Sequence, residues 1–358
     1  MRIAVIPGDG IGVEVTNEAV KALRAAGEVF GRHLDIEALP WSADHYLQTG
    51  TTIPPDGYAT LREFDAIFVG ALGDPRVPDN RHARDILLGT RFELDLYVNY
   101  RPVRLLDDRL CPLKARGTAD VNFVVFRENT EGLYDGLGGR FKTGTDDEIG
   151  LQTELNTYKG VHRIIRHAFE FASRTGRSRV CMADKSNAMR EGHALWQRVF
   201  RELSATYPQI KAAHLYIDTL ALTLVQDPSQ FDVIVTNNLF GDIITDLGAA
   251  LQGGLGMAPS ANLHPGRTSM FEPVHGSAPP LAGKNVANPM GAILSAALML
   301  DFLGLADQAR ALESAVEQAV LERQGTADIG GALGTRETGD YVARAIRRMS
   351  GFGARDSG

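Results

Sequence analysis

The sequence has very few cysteines and no long apolar run. Only two of its 358 residues are cysteines, Cys111 and Cys181, which argues against a disulfide framework and leaves no Cys-x-x-Cys pair for zinc. No run of 18 apolar residues occurs, so no membrane-spanning helix is expected. Met1 leads straight into a strand-like segment without a basic and apolar leader, and we therefore expect a cytoplasmic protein.

An excess of basic residues is also missing. The formal net charge is −7, which argues against a nucleic-acid-binding surface. With 44% hydrophobic residues the chain can bury a large core. Its length predicts two domains, or one domain interrupted by another.

Alternating strand-like and helical segments predict a parallel α/β fold. The chain opens with a strand, a Gly-rich turn at Pro7–Gly12 and an amphipathic helix. These glycines suit a turn beside a phosphate, but the spacing is not Gly-x-Gly-x-x-Gly, so a turn without a ligand is an equally good interpretation. Residues 143–157 resemble an extended arm, and 351–358 are predicted to be a frayed tail.

Acidic residues follow several of the predicted strands. Asp242 and Asp246 come just after an apolar strand, and in a helix they would share one face. Two carboxylates so placed suit Mg²⁺ or Mn²⁺, although an ordinary helix start also favours Asp. Lys185 and Asp218 each follow an apolar strand in the same manner.

Three arginines, Arg91, Arg101 and Arg127, lie at or beside the ends of predicted elements. Arginine binds carboxylates through two parallel hydrogen bonds, so the three fit a substrate with more than one carboxylate. A structural ion pair is the alternative interpretation for each of them.

Five stretches of the chain resemble motifs of the β-decarboxylating dehydrogenases, in that family's order. The family includes isopropylmalate, isocitrate, homoisocitrate and tartrate/D-malate enzymes. The stretches are Pro7–Gly12, Arg127–Gly132 with Tyr134, Asp184–Asn187, Asn238–Asp246, and Glu272–Pro279 with Ala287–Pro289. The resemblance covers almost the whole chain. It implies oxidation of a small 2-hydroxy dicarboxylic acid by a nicotinamide cofactor, followed by loss of the β-carboxylate as CO₂.

The resemblance also implies a role for each matching residue. The substrate would be bound by Arg91, Arg101, Arg127 and Asp218. The metal ligands would be Asp218, Asp242 and Asp246, with Lys185 as the base for the hydroxyl proton and Tyr134 as the acid for the enol carbon. The NAD site would be lined by Ile11, Glu272, His275, Gly276, Ser277, Ala278 and Asn288.

The fold implied by the resemblance is an isopropylmalate dehydrogenase-like two-domain α/β fold, not a standard Rossmann fold, with the active site in the cleft between the domains. Residues 1–97 plus 253–358 would form a cofactor-binding domain from both chain ends. Residues 98–252 would form the substrate, metal and dimerisation domain, with an arm at about 135–160. Relatives are homodimers in which Lys185 and Asp218 reach the other subunit's site, so we expect a homodimer with shared active sites.

The choice of substrate depends on the segment before Arg91. Leu87 and Leu88 lie one turn earlier and offer an apolar wall, which favours 3-isopropylmalate as the substrate and leucine biosynthesis as the pathway. D-malate or tartrate is the alternative, and isocitrate or homoisocitrate fits less well, although Arg84 offers a partner for a third carboxylate.

The choice of cofactor depends on Pro280 and Leu281, which match neither the Asp of NAD-using relatives nor the Lys-Tyr of NADP-using ones. The absence of a basic residue there, together with Ala287, favours NAD. A non-catalytic subunit is disfavoured because Tyr134, Lys185 and the three aspartates are present. A metal-dependent hydrolase would leave the His275–Ala278 loop unexplained.

Overall fold

The computed structural model describes residues 1–349, which form a mixed α/β fold. The strands are β1 Arg2–Gly8, β2 Asp35–Ala38, β3 Ala66–Ala71, β4 Val98–Arg104, β5 Asn122–Glu128, β6 Gly138–Phe141, β7 Ile149–Gln152, β8 Arg179–Asp184, β9 Lys211–Tyr216, β10 Val233–Thr236, β11 Pro259–Leu263 and β12 Ser269–Pro273. The helices are α1 Ile11–Phe30, α2 Ala43–Thr49, α3 Gly57–Leu61, α4 Arg81–Ala83, α5 Thr90–Glu93, α6 Tyr158–Thr175, α7 Arg190–Ser204, α8 Ile217–Gln226, α9 Asn238–Leu251, α10 Met290–Phe302, α11 Ala306–Leu321 and α12 Thr335–Arg348. The tail predicted at 351–358 lies outside the described residues.

The chain forms two compact units. Unit 1 contains residues 1–96, 104–118 and the chain from Ala249 onward, and unit 2 contains residues 97–103 and 119–248. Segment 104–118 belongs to unit 1, where Arg109 Nη2 donates to the Val320 carbonyl at 2.7 Å, although the sequence interpretation placed it in the middle domain. The assignment of cofactor binding to one domain and of substrate and metal binding to the other stays a prediction.

Unit 1 is built around strands in the order β2-β1-β3-β12-β11. β1 and β3 are parallel, and so are β3 and β12, whereas β12 and β11 are antiparallel. Every residue of β3 is buried, as expected for a strand covered on both faces. One buried cluster beneath it includes Ile6, Trp41, Phe64, Ile86 and Met270.

Unit 2 has the strand order β4-β5-β10-β8-β9. β5, β10, β8 and β9 are parallel, with Thr236 opposite both Arg127 and Ala183. The carboxyl ends of parallel strands lie at one edge, where α/β proteins place ligands. Arg127 at the end of β5 and Lys185 just after β8 are therefore presented at the same edge.

The segment predicted as an arm contains an antiparallel hairpin of β6 and β7. Every residue of both strands is exposed, including the large apolar side chains of Phe141, Ile149 and Leu151. No helix within residues 1–349 is long and apolar enough to cross a membrane. The cytoplasmic location stays a prediction.

Candidate active site

Arg127 and Asp242 form the centre of a charged cluster in unit 2. Arg127 is only 1% exposed, and its Nη1 donates to Asp242 Oδ1. Asp242 Oδ2 accepts from the Tyr134 hydroxyl at 3.1 Å, and the Tyr134 ring lies 5.2 Å from Arg127 Cζ. The Asp242 side chain is still 42% exposed, so one face of this cluster is open to a ligand.

Two residues of α9 hold Arg127 in place. Asn238 Oδ1 accepts from Arg127 Nε at 2.9 Å and from Nη2 at 2.7 Å. Gly241 lies against the arginine stem, because a Cβ there would be 2.5 Å from Arg127 Cγ. The glycine therefore lets α9 approach the guanidinium closely, which fixes its direction.

Arg101 lies beside the same helix. Its Nη1 donates to Thr245 Oγ1, and its Nη2 is 3.6 Å from Asp242 Oδ1. Asp246 follows one turn after Asp242. Burial raises the pKa of the Asp246 carboxyl above its usual value, and the charge of Arg101 offsets only part of this rise. The structure thus brings four predicted site residues, Arg101, Arg127, Tyr134 and Asp242, into direct or adjacent contact.

Lys185 and Asp218 form a separate ion pair in unit 2. Lys185 Nζ donates to Asp218 Oδ1 at 2.7 Å, and this bond lowers the pKa of the Asp218 carboxyl. Asp218 follows a strand, as its sequence position predicts, and lies in the first turn of α8. Strand β9 ends two residues earlier, at Tyr216.

The three aspartates predicted as metal ligands do not come together in the single chain. Among residues 1–349 no group of three or more His, Cys, Asp or Glu side chains is arranged to hold a metal ion. Asp242 and Asp246 share α9, whereas Asp218 is paired with Lys185. A site with all three would need a second copy of the chain, so the predicted metal site stays a prediction.

In unit 1 the Gly-rich turn packs against the loop after β12. The Ile11 amide donates to the Ser277 carbonyl at 2.9 Å, which joins two residues predicted to bind the cofactor. Gly10 has φ 55°, and a Cβ on it would lie 2.2 Å from the Ser277 carbonyl oxygen. Only glycine combines this dihedral with this approach.

Asp9 in the same turn organises the neighbouring segments. Its Oδ2 accepts from the Gly73 amide and from His82 Nε2, both at 2.8 Å, and its Oδ1 accepts from the Ala43 amide at 2.7 Å. Gly73 lines an open cavity of about 410 Å³ together with Gly276, Ser277 and Ala278. Three of the predicted cofactor residues therefore border one cavity of unit 1.

His275 stands at the start of this loop. Its Nε2 is buried and has no hydrogen-bond partner among residues 1–349, and burial lowers the pKa of its imidazole. A buried polar atom without a partner is costly, so this nitrogen is a candidate contact for a ligand.

The other residues of unit 1 that were predicted to bind substrate or cofactor form hydrogen bonds within the chain. Arg91 Nη2 donates to Glu272 Oε1 at 2.9 Å, and the same oxygen accepts from Asn262 Nδ2 at 2.8 Å. Asn288 is bound to Asp328 and to the Met290 amide at 3.0 Å each. Carboxylate binding by Arg91 and cofactor binding by Glu272 and Asn288 stay predictions.

Leu87 lies in a π-helix, Arg84–Gly89, which sequence periodicity did not predict. Leu87 is partly buried against the unit 1 core. The Tyr58 hydroxyl donates to the Asp85 carbonyl at 2.8 Å and would lie 2.1 Å from a Cβ at Gly89. Such π turns occur frequently at functional sites.

Comparison with known proteins gives one consistent result. Residues 2–342 match the model of the isocitrate/isopropylmalate dehydrogenase family. The chain belongs to this family. It is 44% identical to the decarboxylating D-malate dehydrogenase of Escherichia coli K12 (97% of this chain, 99% of the relative) and 44% identical to the 3-isopropylmalate dehydrogenase of Thermobifida fusca (97% and 98%). The solved isocitrate dehydrogenase of Methylococcus capsulatus superposes with a TM-score of 0.87 at 35% identity, covering 97% of this chain and 99% of that one.

Membership of the isocitrate/isopropylmalate dehydrogenase family confirms the predicted resemblance and fold. The protein is therefore a decarboxylating dehydrogenase of this family. The relatives divide between isopropylmalate and D-malate enzymes at the same 44% identity, so identity alone does not assign the substrate.

Sequence reasoning missed several residues that support the site of this dehydrogenase. Asn238 and Thr245 both lie inside the motif stretch Asn238–Asp246, and the available signal was a polar side chain at the start of α9 and another within it. Asp9 likewise lies within Pro7–Gly12. His82 gave no such signal, because it is 73 residues from its partner Asp9.

Proposed function

We propose that the protein catalyses the NAD-dependent and divalent-metal-dependent oxidative decarboxylation of 3-isopropylmalate to 4-methyl-2-oxopentanoate. The observation that carries this proposal is the cluster of Arg101, Arg127, Tyr134 and Asp242. It combines two buried guanidiniums, suited to carboxylates, with a phenol and a partly exposed acid. A substrate with two carboxylates and one hydroxyl meets complementary groups there.

The chain's own residues would bind the substrate and move its protons. Arg101 and Arg127 would orient the carboxylates, and Lys185 would remove the hydroxyl proton as general base. Tyr134 would protonate the carbon that loses CO₂. Because Asp218 pairs with the Lys185 side chain in the single chain, the proposed role of Lys185 requires Asp218 to engage another cation.

The donor set fits a hard divalent cation. Asp242 and Asp246 offer carboxylate oxygens on one helix face, and Asp218 would complete the set from a second chain. Oxygen ligands of this kind prefer Mg²⁺ or Mn²⁺. When bound, such an ion would polarise the substrate oxygen as a Lewis acid.

The loop at His275–Ala278 fits a nicotinamide cofactor. The unpartnered His275 Nε2 and the 410 Å³ cavity beside Ser277 supply a polar contact and space in unit 1. Ile11 is tied to this loop and would lie near the nicotinamide end. NAD, when bound, would accept the hydride from the substrate carbon.

A homodimer is part of the proposal. Unit 2 exposes apolar side chains on the β6–β7 hairpin and on α8 and α9, including Phe141, Leu151, Leu222, Val225 and Ile243. Exposed apolar surface of this extent is typical of an interface. Mixing inactive Lys185→Met with inactive Arg127→Met subunits should restore activity, because one hybrid site would be complete. No recovery after verified subunit exchange would contradict shared sites.

D-malate or tartrate is the second candidate substrate, favoured by the 44% identity to the Escherichia coli enzyme. One assay panel separates the candidates: isopropylmalate, D-malate, tartrate, isocitrate and homoisocitrate, each with NAD and with NADP. We expect the highest kcat/KM for isopropylmalate with NAD in the presence of Mg²⁺ or Mn²⁺. Turnover of none of the five acids would refute the proposed function.

A further inference from the structure

We propose that His193 is a positioning residue for Lys185, acting through the Lys185 peptide rather than its side chain. The inference rests on the proposed role of Lys185 as general base. It assigns a purpose to a fully buried histidine on α7 that touches neither the arginine cluster nor the cofactor loop in the described contacts.

The decisive contact is a backbone hydrogen bond. The Lys185 amide donates to His193 Nδ1 at 2.7 Å. A peptide N–H can only donate, so Nδ1 must be unprotonated, and in a neutral imidazole the proton is then on Nε2. His193 Nε2 lies 3.3 Å from Glu154 Oε1, which accepts this proton.

Asn237 fixes the far side of the ring. Its Oδ1 accepts from the Phe240 amide at 2.9 Å, so its Nδ2 points the other way and donates to Glu154 Oε1 at 2.8 Å. The 3.3 Å approach of Nδ2 to His193 Nε2 thus places two donors side by side, both directed at Glu154. This arrangement requires the His193 tautomer that carries its proton on Nε2.

The network joins three segments that matter for the reaction. Lys185 follows β8, Glu154 comes two residues after the hairpin strand β7, and Asn237 precedes α9, which carries Asp242 and Asp246. The Lys185 carbonyl accepts only from its own turn among the described backbone bonds, from Ala188 and Met189. The His193 bond therefore ties the Lys185 turn to the rest of unit 2.

A matched pair of substitutions tests the inference. In His193→Asn the amide oxygen can take the place of Nδ1 and accept from Lys185, whereas in His193→Gln the polar group reaches the place of Nε2 instead. We expect His193→Gln to lower kcat about a hundredfold, the usual effect of a displacement near 1 Å, with the KM values for substrate and NAD unchanged. His193→Asn should retain most of kcat. Equal losses in both variants, or wild-type kcat in His193→Gln, would overturn the inference.

Amide hydrogen exchange gives a readout that does not depend on activity. The Lys185 amide should exchange slowly in the wild-type protein and in His193→Asn, and faster in His193→Gln. A Lys185 amide that exchanges in the wild type as fast as an exposed turn amide would overturn the inference even where a variant fails to fold. Absence of oxidative decarboxylation in the wild type, with the Lys185 amide protected as expected, would instead refute the proposed function alone.

Discussion

The Arg127 cluster of unit 2 and the Gly-rich turn of unit 1 both contain family motifs, but the motifs serve different physical needs. In unit 2 the residues are charged, in contact with one another, and partly open through Asp242. In unit 1 the turn is closed by backbone contacts. Glycine is required at position 10 by its positive φ and by the short distance to the Ser277 carbonyl. One motif therefore specifies chemistry, and the other specifies how closely two segments approach.

Mutations in the two regions should therefore affect different properties of the protein. A change of charge in the Arg127 cluster should alter turnover and leave the fold intact. An added methyl group in the Gly-rich turn should alter stability first.

Asp242→Asn should lower kcat by about a thousandfold, because the loss of a carboxylate from a metal clamp removes several kcal/mol of charge stabilisation. The free energy of unfolding should change little, since the side chain is partly exposed. Steady-state kinetics at saturating Mg²⁺ and thermal melting check both parts. The exposed Asp56→Asn in unit 1 is the control and should behave as the wild type, because the Asp56 side chain makes no cap hydrogen bond. Near-normal turnover of Asp242→Asn would contradict the assigned site.

Gly10→Ala should destabilise the protein by about 3 kcal/mol, because φ 55° with ψ −128° is a backbone conformation open essentially to glycine alone and a Cβ would displace the Ser277 loop. Gly31→Ala is the control, because Gly31 has an ordinary left-handed conformation (φ 65°, ψ 24°), which costs about 1 kcal/mol for alanine, and a Cβ there would meet no atom of residues 1–349 within 4 Å. Denaturant unfolding should therefore show only the dihedral cost at Gly31. Equal destabilisation at the two positions would mean that the contact with Ser277 is unimportant.

Much of this architecture could be predicted from the sequence, because it depends on local periodicity. Helical spacing predicts a helix over Phe240–Leu251, and α9 begins only two residues earlier, at Asn238. Apolar residues at helical spacing likewise predict a helix over Tyr158–Ala172, and α6 extends about one turn further, to Thr175.

What could not be predicted depends on contacts between distant segments. The π-helix before Arg91 is held by Tyr58, which lies 27 residues from its acceptor Asp85. Segment 104–118 is bound to unit 1 through Arg109 and a carbonyl 211 residues away. His193 contacts the Lys185 peptide eight residues away, but its ring partner Glu154 is 39 residues distant. No local pattern encodes such pairs.

Glu128 lies within the charged motif of unit 2, but its contacts stabilise the local fold. It is buried, and its oxygens accept from the Thr130 and Glu131 amides and the Thr130 hydroxyl. Burial, assisted by the charge of Glu131, raises the pKa of Glu128 to about 7. The folded-state pKa lies above the unfolded value, so the protonated group stabilises the fold at low pH, and this contribution is lost as the pH rises through 7.

Glu128→Gln removes this titration. The free energy of unfolding of the variant relative to wild type should therefore shift in favour of the variant by about 3 kcal/mol between pH 4.5 and pH 8. Urea unfolding across that range gives the measurement. A constant difference between the two proteins would show that Glu128 ionises alike in the folded and unfolded states.

The smallest predicted effect is at Leu87, where unit 1 would contribute an apolar contact instead of a close backbone approach. Burying the three carbons of an isopropyl group gains roughly 0.8 kcal/mol each, so an apolar wall favours isopropylmalate over malate by about 2 kcal/mol. A charged carboxymethyl group would lose its hydration there. Leu87→Ser should therefore lower kcat/KM for isopropylmalate more than for D-malate, with the exposed Leu47→Ser as control. Equal losses for both acids would mean that Leu87 does not contact the distinguishing group, and a wild-type preference for D-malate would transfer the assignment to the malate enzymes.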